Sequence, residues 1–470
     1  MSAAPDAIAQ RLDRLPWSRW HARVVLALGV AWVLDGLEVT LVGSIGAVLE
    51  RTDTLALSAL QIGGAGSLYI AGAILGALWF GRLTDRLGRR RLFLVTLSVY
   101  AVATFATAFA TDFVVFGLCR FVTGMGIGGE YAAINSAIDE LIPARLRGRV
   151  NLGINGSFWI GAALGAGVSL VLLDPRVLGP VWGWRACFAL GALLALAVGL
   201  VRRHVPESPR WLRMHGRTAE ALRIVDAIEA QVVAQHGRLP PLTGIAVPAG
   251  TPDHRLWQML HDLLHRYRRR SVVALALMLS QAFFYNAIFF TYALVLTRFH
   301  GVAENRVALY IFPFALGNVA GPLLLGPLFD RVGRRRMIAL TYIVSGIGLA
   351  LTGAAFVAGW LDALGQALCW SAVFFFASAA ASSAYLTVSE VFPLEMRGFA
   401  IAVFYAVGTG AGGFVAPLLF GWLVGTGSRD AVAAGYGLGA LLVIAAGLIA
   451  LRHGIDAERK PLEEIAPPRH

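Results

Sequence analysis

The chain has 470 residues, 57% of them hydrophobic and only 14% charged, with a mean hydropathy of +0.68; an average soluble protein is roughly 45–50% apolar and about 25% charged. This excludes soluble globular, disordered and collagen-like chains and leaves a polytopic membrane protein, counted in spans of about 20 residues. The net charge of +12 invites a nucleic-acid partner, but 33 of the 40 Lys and Arg residues fall in alternate segments between hydrophobic runs, so the charge reports topology and no nucleic acid is expected.

In chain order the hydrophobic runs are 24–48, 60–81, 92–110, 113–137, 150–173, 185–201, 271–297, 305–328, 337–358, 364–388, 399–424 and 431–451. They predict an all-α protein of twelve transmembrane helices, with both termini on the cytoplasmic side by the positive-inside rule. The first 23 residues are polar, contain Pro5 and Pro16, and lead into a run too long for a signal-peptide core, so the first helix is the expected insertion signal. Cys119, Cys187 and Cys369 lie in separate spans and suggest neither a disulfide framework nor a metal cluster. No Walker loop or H-E-x-x-H is present, so no cofactor, bound metal or enzymatic chemistry is expected.

The runs divide into an N-terminal six-helix half (1–201), a cytoplasmic linker with short helices (202–270) and a C-terminal six-helix half (271–470). Two motif pairs mark a duplication. Gly81-Arg-Leu-Thr-Asp85-Arg86-Leu-Gly88-Arg89-Arg90-Arg91 after the second span is echoed 245 residues on by Gly326-Pro-Leu-Phe-Asp330-Arg331-Val-Gly333-Arg334-Arg335-Arg336 after the eighth. Glu140-Leu-Ile-Pro143-Ala-Arg-Leu-Arg147-Gly148 after the fourth span is echoed 250 residues on by Glu390-Val-Phe-Pro393-Leu-Glu-Met-Arg397-Gly398. Parallel six-helix repeats are an architecture of alternating-access transporters, with the substrate site at the midplane between them.

These loops resemble the signature of the major facilitator superfamily, over essentially the whole chain. Pro206-Glu207-Ser208-Pro209-Arg210-Trp211 and Arg120-Phe-Val-Thr-Gly124-Met-Gly126-Ile-Gly128-Gly129-Glu130 further resemble the sugar-porter and organic-ion-transporter branch. Asp35-Gly36-Leu37-Glu38 and Gly128-Gly129-Glu130-Tyr131 are similar to bacterial aromatic-acid and nicotinate-type proton symporters. The resemblance implies a monomeric, proton-coupled transporter of a small-molecule substrate, resident in the lipid bilayer of a bacterial cytoplasmic membrane. It also implies an interdomain gating network at the cytoplasmic face from Asp85, Arg89, Glu140, Arg147, Glu207, Arg210, Asp330, Arg334, Glu390 and Arg397. Asp85 and Asp330 sit just outside helix ends, where carboxylates can accept from arginines or helix N-terminal amides.

An ionisable residue inside a span costs at least about 2.5–3.5 kcal/mol, so each is a functional hypothesis. Asp35 and Glu38, three apart, share one face of the first helix, while Arg120 and Glu130 lie in the fourth. At about 1.5 Å per residue, Asp35 and Arg120 reach about the same depth, with Glu38 one turn further out and also within plausible reach of the arginine. The first-helix Asp and fourth-helix Arg of proton-coupled sugar porters match Asp35 and Arg120. The expectation is that Asp35 binds the transported proton, Arg120 modulates its affinity and Glu38 shares the site, with Glu130 in gating or proton exit; a permanent structural ion pair is the bland alternative.

For the substrate, Gln281-Ala-Phe-Phe-Tyr285-Asn286-Ala-Ile-Phe-Phe290-Thr-Tyr292 in the seventh span sets two amides among aromatics. Gln281 and Asn286 match amides of the sugar-porter pattern, but Tyr285 replaces its glycine, Asn155 a fifth-span glutamine and Tyr385 a tenth-span tryptophan. The amides suit hydrogen bonding and the rings narrow the cavity toward a flat ligand; Trp32, Trp159, Trp370 and Tyr405 are weaker candidates. Arg120, the one intramembrane cation in this reading, could meet a carboxylate that competes with Asp35. The best reading is symport of an aromatic or other organic acid. The alternatives are sugar or polyol symport, proton-driven efflux or organic cation transport (against which the fifth-span glycines lack the antiporter proline), and a non-transporting sensor.

Overall fold

The computed structural model describes residues 7–202, 206–242 and 256–455. Its helices are α1 (Ala7–Asp13), α2 (Arg19–Leu49), α3 (Ala59–Leu87), α4 (Arg89–Thr107), α5 (Phe113–Leu141), α6 (Ala144–Leu172), α7 (Gly179–Arg202), α8 (Pro209–Met214), α9 (Thr218–His236) and α10 (Leu256–Leu264). After them come α11 (Arg268–Phe289), α12 (Tyr292–His300), α13 (Ile311–Arg331), α14 (Arg334–Val357), α15 (Ala363–Val391), α16 (Leu394–Gly408), α17 (Phe414–Gly425) and α18 (Arg429–His453). Eleven stretches among the described residues are long and apolar enough to cross a bilayer, and Gly156–Leu172 of α6 is a shorter apolar one. Together they give the twelve spans read from the sequence.

Two spans are interrupted. The seventh breaks into α11 and α12, and the eleventh runs from α16 through a π-helical turn, Thr409–Gly413, into α17. Several helices also start outside the apolar runs: α6 begins at Ala144 and α7 at Gly179.

Close helix approach is bought with glycine. A Cβ on Gly72 of α3 would lie 1.9 Å from the Phe121 carbonyl oxygen, one on Gly124 of α5 2.0 Å from that of Tyr69, and one on Gly128 1.8 Å from that of Ala73. The glycines after Arg120 therefore mate α5 with α3, backbone against backbone. The duplicated loops obey the same economy. Gly88 and Gly333 are the N-caps of α4 and α14 with φ of 86° and 107°, a region that favours glycine.

We call the side carrying α1, α8, α9 and α10 the linker face. On the opposite face the first and last six spans meet tightly: a Cβ on Gly63 would lie 2.1 Å from the Pro417 carbonyl oxygen. Hydrogen bonds and ion pairs that join the two sets of spans lie toward this face. Ser44 pairs with Tyr292 at 2.7 Å, Ser67 donates to the Phe414 carbonyl at 2.6 Å, and Arg298 and Arg51 meet Glu50 and Glu304 at 3.1 and 3.4 Å. The structure is thus sealed on the opposite face.

At the linker face, α1 lies on α9. Ile8, Leu12 and Leu15 join Trp20, Val225, Ile228 and Val232 in one buried cluster. Arg11 meets Asp226 and Glu229 at 2.5 Å each, and Arg14 meets Glu229 at 2.6 Å. Burial pushes the Glu229 carboxyl upward, but the hydrogen bonds from Arg11 and Arg14 outweigh it and hold the group below the usual carboxylate range. Its contribution to docking is therefore complete at neutral pH and is lost as pH falls through the lowered value. Amide exchange in α1, taken relative to an unstructured peptide at the same pH, is expected to accelerate several-fold on acidification below about pH 4. Glu229→Gln is expected to show the fast exchange already at neutral pH; slow exchange there in the variant would remove the pair from the docking.

Candidate functional site

The buried charge lies among α2, α4 and α5. Asp35 is 2% exposed, Glu38 and Arg120 0%, and Glu130 1%. The α3–α5 approach described above and the packing of Gly36 on α6, where a Cβ would lie 1.9 Å from the Phe158 carbonyl oxygen, hold this region together.

The expected pairing of Asp35 with Arg120 is corrected. The hydrogen-bonded partner of the guanidinium is Glu38, through Nη1 and Oε1. Arg120 Nη2 also donates to Thr107 at 2.8 Å and Thr123 at 3.1 Å, and the Phe188 ring lies 4.5 Å from its guanidinium carbon. Tyr100 of α4 donates to the other Glu38 oxygen at 3.3 Å. Asp35 instead accepts from the Tyr69 hydroxyl at 2.6 Å. The reason is side-chain tilt. Helical side chains lean toward the N-terminus of their helix, so Arg120 on α5 leans toward the opposite face while Glu38 on α2 leans toward the linker face. Their heads converge at a level that Asp35, about 4.5 Å nearer the linker face, does not share.

Two carboxylates one turn apart are thus in different chemical states. Glu38 sits in a fully buried ion pair with neutral donors filling its surroundings. Asp35 accepts from a phenol, a neutral donor on a different helix. Tyr405 of α16, from the second set of spans, lies within electrostatic range of Asp35.

Tyr405 leads on to the substrate candidates. Its ring is 6.4 Å from that of Tyr385, whose hydroxyl lies close to Gln281. Tyr385 is 42% exposed although it faces these two helices, so its ring borders open volume. Trp159 packs edge-on against Phe289 at 5.9 Å, joining α6 to α11. These side chains gather near the level of Asp35.

Other candidates point elsewhere. Tyr285 is turned into the last six spans, donating to Asn318 at 2.8 Å and packing on Phe374. With Gln281 and Tyr342 it lines a cavity of about 10 Å³, room for no more than a water. Asn286 donates to its own helix at the Ala282 carbonyl, 2.7 Å, beside the π-helical turn. Trp370 is fully buried and stacks on Phe314 at 5.6 Å as packing. Arg120, fully buried and engaged, is not displayed to a ligand in this conformation.

Of the gating candidates, Glu207 accepts from the Arg90 backbone amide at 3.2 Å, capping the start of α4, where a Cβ on Gly88 would lie 2.5 Å from its oxygen. The carboxylate on that helix end is thus supplied by the Pro206–Trp211 motif. Glu130 is buried within α5, and Arg334 opens α14. The side chains of Asp85, Arg89, Glu140, Arg147, Asn155, Arg210, Asp330, Glu390 and Arg397 lie outside the described residues. Tyr69, Tyr100, Thr107, Thr123 and Phe188 are site residues that sequence reasoning missed.

Twelve spans, duplicated loops and a buried charge site between the first spans define a multi-pass transporter of the major facilitator superfamily. The profile of the sugar (and other) transporter family matches residues 43–466, and the chain belongs to that family. It is 28% identical over 461 residues to the niacin transporter NiaP of Acinetobacter baylyi, covering 97% of this chain and 99% of that protein. It is 26% identical to the 4-hydroxybenzoate transporter PcaK of Pseudomonas putida, covering 74% and 76%. Among solved structures, a D-xylose–proton symporter superposes with a TM-score of 0.70 at 21% identity, covering 94% of this chain and 99% of that one. The protein is a membrane transporter and not an enzyme.

Proposed function

We propose that this protein is a proton-coupled symporter that takes up a small aromatic carboxylic acid by alternating access across a bacterial cytoplasmic membrane. In this reading residues 1–201 and 271–470 are the rocking halves, the linker face is cytoplasmic, and the structure is the inward-facing state. The observation that carries it is the line from Asp35 through Tyr405 and Tyr385 to Gln281. It joins a buried carboxylate held by the Tyr69 hydroxyl to a set of hydroxyl and amide groups bordering open volume. Asp35 takes the proton; the donors bind the substrate carboxylate; Trp159 and Tyr405 offer faces to its ring. With Arg120 engaged by Glu38, an anion entering together with a proton keeps the cycle electrically balanced. The relatives named for niacin and 4-hydroxybenzoate, both flat ring compounds, support the substrate class.

A second reading, sugar or polyol symport, is favoured by the same uncharged donors. Proteoliposomes under an imposed pH gradient, acid outside, test both. Nicotinate and 4-hydroxybenzoate are expected to accumulate and xylose not, and Tyr385→Phe is expected to weaken apparent affinity about tenfold. Accumulation of xylose alone would overturn the acid reading. Gradient-driven expulsion would mark an antiporter, and binding without flux a sensor.

A further inference from the structure

We propose that Tyr69 is the positioning residue that carries the protonation state of Asp35 to the break in the seventh span. This rests on the reading of Asp35 as the proton site. The break itself needs an explanation, because Gln281–Tyr292 contains neither proline nor glycine, the usual causes of an interrupted helix. Part of it is local: Thr291 bonds back to the Ala287 carbonyl at 2.5 Å, which bends a helix. The rest comes from the first six spans, which grip the interruption from outside. A Cβ on Gly66 would lie 2.9 Å from the Phe290 ring, and one on Gly43 2.8 Å from the Phe289 carbonyl oxygen. Ser44 holds Tyr292, and the Tyr69 ring lies 6.3 Å from that of Phe290.

Tyr69 is the member of this grip that touches a proton site. Its hydroxyl reaches Asp35 at 2.6 Å while its ring meets Phe290, the residue that closes α11. Its backbone cannot travel, because Gly124 of α5 abuts its carbonyl. A change at Asp35 therefore reaches Phe290 through the side chain alone. With Asp35 ionised, the phenol makes a charge-assisted hydrogen bond and the ring is held. With Asp35 protonated, that bond weakens, the ring is released, Phe290 loses its seat, and the seal on the opposite face loosens. Among the described residues, the titratable and charged groups around Asp35 include Glu38 on its own helix, Tyr69 on α3, Tyr100 on α4, Arg120 and Glu130 on α5, and Tyr405 on α16. The face of α6 packed on Gly36 presents Phe158 and Ala162, which do not titrate. Of these, Tyr69 is the group seen to touch both Asp35 and the break.

The test uses the reconstituted full chain with its three native cysteines replaced and Thr40→Cys, buried one turn behind the seal, as reporter. Alkylation by a membrane-impermeant maleimide applied at the opposite face is measured from pH 8 to pH 5. The parent is expected to label at least fivefold faster at the acidic end, each rate taken relative to a free cysteine at the same pH. Tyr69→Phe, which keeps the ring and loses the hydroxyl, and Phe290→Leu, which keeps the Asp35 bond and loses the aromatic seat, are both expected to flatten this dependence below twofold. Both are expected to melt in detergent within a few degrees of the parent, the check on folding. A parent-like pH dependence in Tyr69→Phe or Phe290→Leu overturns the inference. The reading beneath it is separated by Asp35→Asn. A pH dependence that survives there removes Asp35 as the proton site, whereas one that vanishes there but persists in Tyr69→Phe removes only Tyr69.

Discussion

Arg120→Leu is expected to abolish transport and to cost about 3–5 kcal/mol of stability, because it strands the Glu38 carboxylate in a site with no exposure. The loss is read as a lower melting temperature in detergent. Glu38→Gln alone leaves the guanidinium without its counter-charge and is expected to cost a similar amount. The double variant Glu38→Gln/Arg120→Gln removes both charges together, and most of the stability is expected to return. Transport decides what the pair is for. If the double variant is stable and still transports at the parent rate, the ion pair is a staple and nothing more. If it is stable and inactive, the charge is needed during the cycle, as expected for a guanidinium that must change partners when the halves rock.

Asp35→Asn is the second large effect. It removes the titrating group while keeping a side chain that can still accept from Tyr69. Accumulation driven by a pH gradient is expected to vanish, and exchange of labelled for unlabelled substrate, which needs no net proton movement, is expected to continue. Parallel uptake assays with and without the gradient measure both. Parent-level accumulation in the variant would move the proton elsewhere, with Glu130, a fully buried acid outside the Glu38–Arg120 pair, as the next place to look.

The spans were legible because a bilayer demands about 20 apolar residues and nothing else in the chain supplies them. Their ends were less so: α6 starts six residues before its apolar run, since helical hydrogen bonding continues through a polar stretch that hydropathy discounts. The break after Phe289 left no mark in composition, because much of what sustains it belongs to Gly43, Ser44, Gly66 and Tyr69 on other helices. The residues of the charge site were legible one by one, as acids and a base where lipid should forbid them. Their pairing was not. Asp35 and Glu38 differ by one turn, less than the reach of an arginine, and the choice between them is made by the lean of each side chain. Tyr69 and Tyr100 were invisible for a related reason: a tyrosine in a span is ordinary until a neighbouring helix brings it to a carboxylate. The docking of α1 was within reach, since Ile8, Leu12 and Leu15 make a helical stripe that a search for long apolar runs passes over.

The clamp of α1 on α9 bears on what the middle of the chain does. With α9 riveted at one end to the N-terminal segment and sharing its buried cluster with the base of the first span, the segment after the sixth span is expected, in the proposed cycle, to travel as cargo of the first half. It then acts as a leash, neither hinge nor lever. In the proposed cycle, the energy difference between inward and outward states is then expected to reside in the spans and their seals, and lengthening the leash to change how far the halves can stray without changing which way they lean.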